Sequence, residues 1–415
     1  MTRKVLLCDA AFSAMPLLTA LKARGLHVAV CGGRAGDPGH ALADASFPID
    51  YSDTAALLAL TRSQGFDYLV PGCTDVSYLA CASVARSLRL PGFDSAEATH
   101  LIHHKGAFRQ HADSCAYPVP RAVTTLSQAA QLELPLLVKP VDSFSGKGIV
   151  KVDLAEQLPA AAEQARRHSP SGEIVFEQFV SGQLYSHSAF LYQGEILADF
   201  FVAEYCTVFP YQVNSSCIAT DLAPQARQSM RTWLQTFATA ARLCDGLVHT
   251  QFIAADQHVW LIEVARRCPG DLYSLLIRQS TGVDYAALYV AGFCDGYAHA
   301  KAPLARQIPV SRHTVSTAED GIFVAAKLAL PAVSVGYVPL KKTGELMRAA
   351  PFDRAGIYFI EHADMATMAA VTEQLASRVK VTTWAAADAS AVPTPSPTAP
   401  PGPTPDAVIA PGAFS

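Results

Sequence analysis

The stretch Val259-Trp260-Leu261-Ile262-Glu263-Val264-Ala265-Arg266-Arg267-Cys268-Pro269-Gly270-Asp271 places an acid and an arginine pair at the end of an apolar run. Along a strand, residues two apart share a face, so Glu263, Ala265 and Arg267 point together while strand geometry persists. Just upstream, His249-Thr250-Gln251-Phe252-Ile253 reads as the partner arm of an antiparallel hairpin that turns around Asp256. A loop of Asp256-Gln257-His258 pairs Ala255 with Val259 and sets Gln251 opposite Glu263. A two-residue Asp256-Gln257 turn sends the two side chains to opposite faces unless a bulge intervenes. A carboxylate and a guanidinium on one face suit a magnesium–phosphate group, the first holding the metal and the second the phosphate oxygens. The plainer reading is a solvated hairpin face with a surface ion pair. It fits less well, because Glu263 follows Val259-Trp260-Leu261-Ile262.

Two segments further upstream extend the pattern. Leu137-Val138-Lys139-Pro140-Val141-Asp142-Ser143-Phe144-Ser145-Gly146-Lys147-Gly148-Ile149 buries a lysine in an apolar strand, which is costly unless the ammonium meets an anion. A Ser/Gly turn follows whose backbone N–H groups suit phosphate oxygens. The spacing is not that of a Walker A loop. Phe176-Glu177-Gln178-Phe179-Val180-Ser181-Gly182 is an acid and a short apolar run ending at glycine, able to sandwich a flat ring.

The first hundred residues alternate strands (Val5–Cys8, His27–Cys31, Tyr68–Val70) with helices, the first capped by Ser13 and stopped by Gly25. This predicts a parallel sheet covered by helices. The turn Asp9-Ala10-Ala11-Phe12-Ser13 lacks Gly-x-Gly-x-x-Gly, so a dinucleotide has no glycine-lined approach. Beyond residue 104 strands dominate: Leu136–Val141, Ile149–Val152, Ile174–Val180, Ser186–Leu191, Glu195–Val202 and the hairpin. Met230, Trp233, Leu234, Phe237, Ala241 and Cys244 form one helical stripe that reads as core.

A length of 415 residues calls for two or three domains, and 50% hydrophobic against 16% charged residues excludes disorder of the whole chain. The greasiest run, Leu328 to Leu340, is broken by Pro331, Gly336 and Pro339, which excludes a membrane span. A net charge of −4 gives no footprint for nucleic acid. Arg3 and Lys4 precede an apolar stretch, but Asp9 interrupts it, so a strand is expected rather than a signal peptide. Ten cysteines without a Cys-x-x-Cys pair read as reduced, mostly buried thiols of a cytoplasmic protein. From Ala391 onward the chain is Pro/Ala/Thr/Ser-rich and is expected to be disordered.

Taken in order, the lysine strand, the Ser/Gly turn, the Glu-x-Phe-Val segment and the Glu-x-x-x-Arg hairpin resemble the ATP-grasp superfamily of carboxylate–amine ligases, over roughly residues 1 to 300. The resemblance implies an α/β chain: a Rossmann-like pre-domain (1–104), then a two-lobed ATP-grasp domain (105–300). A small mixed C-terminal region (301–385) and a Pro-rich tail (386–415) complete the expected organisation. It further implies that Lys105 and Lys139 touch the α- and β-phosphates of ATP, while Ser145, Gly146 and Lys147 close over the triphosphate. Glu177 and the backbone near Val180 meet the adenine. Gln251 and Glu263 hold Mg²⁺, and Arg267, with Lys147, serves the transferred phosphoryl group. Two departures stand out. Leu184 follows the hinge glycine where many members carry a ribose-binding carboxylate, leaving Gln183 as a substitute. Ala265 stands where many carry an Asn metal ligand. The implied reaction activates a carboxylate as an acyl phosphate for attack by an amine, with small-molecule substrates and a homodimer as the expected partners. A carboxylase or kinase-like enzyme and a nucleotide-binding pseudo-enzyme remain alternatives, and no Met-Lys-Met-like biotin acceptor is present. Arg312, His313, Asp271 and Tyr273 are polar groups that could equally face substrate or serve structure.

Overall fold

Strands Ala45–Phe47, His27–Cys31, Lys4–Cys8 and Tyr68–Pro71 lie in that order as a parallel sheet in a computed structural model, which describes residues 2–143, 146–255, 258–297 and 306–385. Their side chains from Val5 to Cys8 and from Val28 to Cys31 are buried because helices cover both faces. The first helix differs from expectation. Phe12–Ala14 is a 3₁₀ turn, the α-helix runs Met15–Ala23, and Ser13 caps neither.

A small antiparallel sheet follows, ordered Ala122–Val123, Ile174–Gln178, Leu136–Pro140, Val150–Val152, with helix Leu158–Arg167 on one face. All five residues of Leu136–Pro140 are buried, Lys139 included, because a strand lies on either side and the helix lies behind.

The largest element is an eight-stranded antiparallel sheet. Its order is His258–Ala265, Gly246–Ala255, Gln183–Tyr192, Glu195–Tyr205, Ser215–Ile218, Val310–Val315, Gly356–Glu361, Ser334–Pro339. One face packs on helix Pro224–Ala240, whose Met230, Trp233, Leu234 and Phe237 are buried. The expected stripe stops there. Arg242 adopts a left-handed conformation that ends the helix, so Cys244 lies beyond it and its N–H binds Asp94. The opposite face turns toward the N-terminal sheet and carries most of the polar groups described below. The sheet does not stop at the expected boundary near residue 300: Ser215–Ile218 pairs directly with Val310–Val315. Only Leu346–Met347, Gly321–Leu328 and Val379–Trp384 form a separate three-stranded sheet. No helix among the described residues is long and apolar enough to cross a membrane, and all ten cysteines are free thiols. The Pro-rich tail lies outside the described residues.

Candidate active site

The N-terminal sheet, the small sheet and the polar face of the large sheet enclose one cavity of about 1270 Å³. The hairpin supplies its floor. Ala255 pairs with His258, not with Val259, which corrects the three-residue loop. By parity this register sends Gln251 and Glu263 to opposite faces. A bulge at Ile262 cancels the slip: Phe252 pairs with Leu261, whereas Gln251 pairs with Glu263.

Gln251 donates its Nε2 to Glu204 Oε2 at 2.6 Å, and a carboxylate can only accept, so the Gln251 amide oxygen is left for another partner. Glu204 is buried, and burial raises its carboxyl above the usual range. The carboxylate of Glu263 and the amide oxygen of Gln251 are hard donors, the kind Mg²⁺ prefers, and among the described residues no cluster of three acids, histidines or cysteines competes with them. Two protein oxygens fit a cation that keeps waters and phosphate oxygens in its remaining positions.

Arg267 reaches across to the N-terminal domain, where its Nη2 meets Asp75 Oδ2 at 3.1 Å. The other Asp75 oxygen lies 3.1 Å from Nδ1 of His103, whose ring stacks on Tyr78. Burial alone pushes the Asp75 carboxyl up, but Arg267 and His103 outweigh it and hold it well below the usual carboxylate range. Burial likewise works against the Arg267 charge, and Asp75 with Glu263 reverses that effect. Its Nε is buried without a partner.

On the small sheet, Lys139 finds a protein carboxylate rather than waiting for a nucleotide alone: its Nζ bonds Glu177 Oε1. Glu177, expected at the adenine edge, is 2% exposed, and its second oxygen accepts Arg109 Nε at 2.9 Å. Burial favours neutral Glu177, yet the two cations keep its carboxyl below its ordinary value; burial also lowers Lys139. Two cations against one anion leave one net positive charge facing the cavity, which suits a phosphate. Arg109 does more. Its Nη1 and Nη2 donate to the carbonyls of Leu261 and Ile262 at 3.1 and 2.9 Å, so one side chain holds both Glu177 and the bulge.

The other expected residues divide. Lys105 lines the cavity and donates to Ser143 O at 2.8 Å, tying it to the Ser/Gly turn. Gly146 has φ +72°, and a Cβ there would stand 2.9 Å from Pro210 O, so the turn closes against the 210–211 segment only as glycine. Ser145 lies outside the described residues. Val180 lines the cavity beside Phe179. Lys147 does not line it; its ammonium sits 5.1 Å over the Phe352 ring. Gln183 also turns away, its Nε2 spent on the carbonyls of Leu184 and Glu204 at 2.8 Å each, while Leu184 faces the cavity. Arg312, Asp271 and Tyr273 line the cavity, whereas His313, one residue on along the strand, points to the other face and meets Ser215 Oγ at 2.8 Å. Arg109, Asp75 and Glu204 were missed. Arg109 follows Lys105 by one helical turn and Glu204 ends a run of buried strand residues, two signals the sequence carried. Nothing local marks Asp75.

Residues 132–274 match the family model for the ATP-grasp domain. The chain carries an ATP-grasp domain. It is 25% identical over 283 residues to a formate-dependent phosphoribosylglycinamide formyltransferase of Janthinobacterium sp. (strain Marseille), covering 64% of this chain and 68% of that one. A D-alanine–D-alanine ligase of Ectopseudomonas mendocina is 26% identical over 213 residues, covering 48% and 66%. A formate-dependent phosphoribosylglycinamide formyltransferase of Burkholderia cenocepacia is 29% identical over 187 residues, and there the chain spans only 46% of its relative's length. The structure of an L-amino acid ligase from Bacillus licheniformis superposes with a TM-score of 0.75 at 17% identity, covering 92% of this chain and 99% of that one. A phosphoribosylglycinamide synthetase from Anaerococcus prevotii gives 0.72 at 16%, covering 92% and 100%. At such identities the ATP-grasp fold is what is shared.

Proposed function

We propose that this chain is an ATP-dependent ligase that activates a carboxylate as an acyl phosphate and passes the acyl group to an amine. The observation that carries the reading is the convergence of Lys105, Lys139, Gln251, Glu263 and Arg267 on one cavity between the lobes. A formyltransferase dependent on formate, a D-alanine ligase and an L-amino acid ligase have a carboxylic acid in common, and that shared chemistry supports the reading.

A carboxylate is a poor electrophile because oxide is a poor leaving group. In the proposed first step one of its oxygens attacks the γ-phosphorus of ATP, the bond to the bridging oxygen breaks, and ADP leaves. The amine nitrogen then attacks the acyl carbon, phosphate departs with the bonding pair, and the nitrogen sheds a proton. Phosphoryl transfer asks chiefly for positioning and charge neutralisation. Lys105 and Lys139 supply that charge on the small lobe and Arg267 supplies it on the large sheet. Phe179, Val180 and Leu184 offer apolar walls for the adenine ring. Mg²⁺, held by Gln251 and Glu263, would add charge neutralisation at the phosphate oxygens.

The test is ADP release by the full chain with pairs of acids and amines, run with and without hydroxylamine. Acid-dependent ADP release with a trapped hydroxamate is the expected result. ADP release without a hydroxamate would point to a kinase-like reaction, and failure to bind ATP would remove the enzymatic reading.

A further inference from the structure

Two arginines are buried among the described residues, Arg266 and Arg312. Arg266 meets Asp94 at 2.7 Å, as a buried charge ordinarily meets a counter-charge. Arg312 is 3% exposed and, among the described residues, has no carboxylate within ion-pair distance. Its Nη1 donates to the carbonyls of Asp271 and Gly270 at 3.0 and 3.4 Å, and its Nε is buried with no partner. The two nearby acids are committed elsewhere. Asp271 binds Arg354 at 3.0 Å, and Glu204 accepts from Gln251 at 2.6 Å.

The guanidinium lines the cavity beside Tyr273. It also has a definite place relative to the expected reacting centre. Glu204, Ser216 and Arg312 form one cross-strand row on the polar face, and Ser216 Oγ is itself buried and unpartnered. Two strand spacings put the Arg312 backbone about 10 Å from that of Glu204, which holds the metal-facing Gln251. Asp271 and Leu272 both have positive φ, and this turn aims two carbonyls at Arg312 and so fixes the guanidinium plane.

We propose that Arg312 anchors a carboxylate that does not react, carried by one of the two substrates: a second carboxylate on the activated acid, or the carboxylate of an amino-acid nucleophile. A guanidinium matches a carboxylate in shape and charge, and burial makes the missing counter-ion expensive to leave out. Glu204 and Asp271 flank the position, so one negative charge is tolerated there better than the two of a phosphate monoester. The inference rests on the ligase reading for the word substrate, but not for the binding itself.

The experiment therefore starts from binding. The full chain, wild type and with Arg312→Gln or Arg312→Lys, is titrated by calorimetry with dicarboxylates, with amino acids, and with their α-carboxamides, each with and without ATP and Mg²⁺. Carboxylates are expected to bind the wild type at least tenfold more tightly than their amides. Arg312→Gln should erase that preference, Arg312→Lys should restore part of it, and ATP affinity should stay unchanged. Preference among dicarboxylates alone assigns the group to the acid, and preference among amino acids alone assigns it to the amine. Thermal melts report folding: removing an unpaired buried charge should leave the melting temperature level or raise it, whereas a purely structural arginine would lower it. Equal binding of acids and amides, or no binding of any carboxylate, overturns the proposal. If ATP also binds, the ligase reading survives that loss. Carboxylate binding without ATP binding would keep the subsite and sink the ligase reading.

Discussion

At the scale of single residues, the site is a set of charges that burial would extinguish unless each had a partner. Lys139 and Glu177 show the cost and its remedy, since the strand and helix around them leave both nearly dry. Replacing Lys139 with Ala leaves Glu177 paired with Arg109, so the fold should persist. Turnover should fall by an amount equivalent to about 3 kcal/mol of transition-state stabilisation, read as kcat/KM for ADP release. Normal turnover would remove Lys139 from the reaction. Asp75 acts through Arg267, and Asp75→Asn should lower kcat by roughly 10²-fold through a misplaced guanidinium while KM for ATP holds; Asp75→Glu should recover part of the loss. His313 offers a test by pH. Burial and the neighbouring Arg312 lower its pKa to about 4, against about 6.5 in the unfolded chain. The unfolded state therefore binds the extra proton first, so stability contributed by the neutral ring is intact above about pH 6.5 and drains away as pH falls toward 4. At pH 5 the loss should be about 2 kcal/mol. Urea unfolding at pH 7 and pH 5 should show a smaller acid loss for His313→Asn than for the wild type.

At the scale of elements, the hairpin explains what could and could not be read in advance. Glu263, Arg267 and Gln251 were legible because strand alternation fixes which residues share a face. The pairing of Gln251 with Glu263 was not, since it depends on a bulge, and a bulge is set by what grips the extra residue rather than by its own identity. Here the grip is Arg109, on a helix far away in sequence, bonded to the carbonyls of Leu261 and of the extra residue, Ile262. Arg109→Met should relax the bulge and raise the Mg²⁺ concentration for half-maximal activity several-fold. An unchanged Mg²⁺ requirement would show that the hairpin holds its register unaided. Gln183 failed for a related reason. The sequence offered a polar side chain after the hinge, but the backbone carbonyls of Leu184 and Glu204 took it first. Asp75 was illegible because its partner lies in another domain.

At the scale of the whole molecule, the boundary expected near residue 300 cuts through hydrogen-bonded strands. Three of the eight strands of the large sheet come from beyond it, and one of them carries Arg312. A chain ending at residue 305 should expose the edge of Ser215–Ile218 and aggregate. A chain ending at residue 385 should keep its melting temperature and its activity, because the removed segment is proline-rich and lacks apolar periodicity. Comparing the soluble yield and ADP release of the two truncations checks both statements.

The contact between Arg267 and Asp75 bears on how such chains could be recombined. The first domain is the natural unit to exchange when a ligase is to be given a new substrate, and its parallel sheet looks self-sufficient. Yet it lends the rest of the protein one carboxylate, at the start of helix Asp75–Leu88, without which the arginine of the hairpin loses its ion-pair partner and keeps only the charge of Glu263. A graft that matched the sheet and the linker but brought a neutral residue to that helix start would fold and bind nucleotide, and still work poorly. The two halves are interchangeable only with partners that bring an acid to the same place.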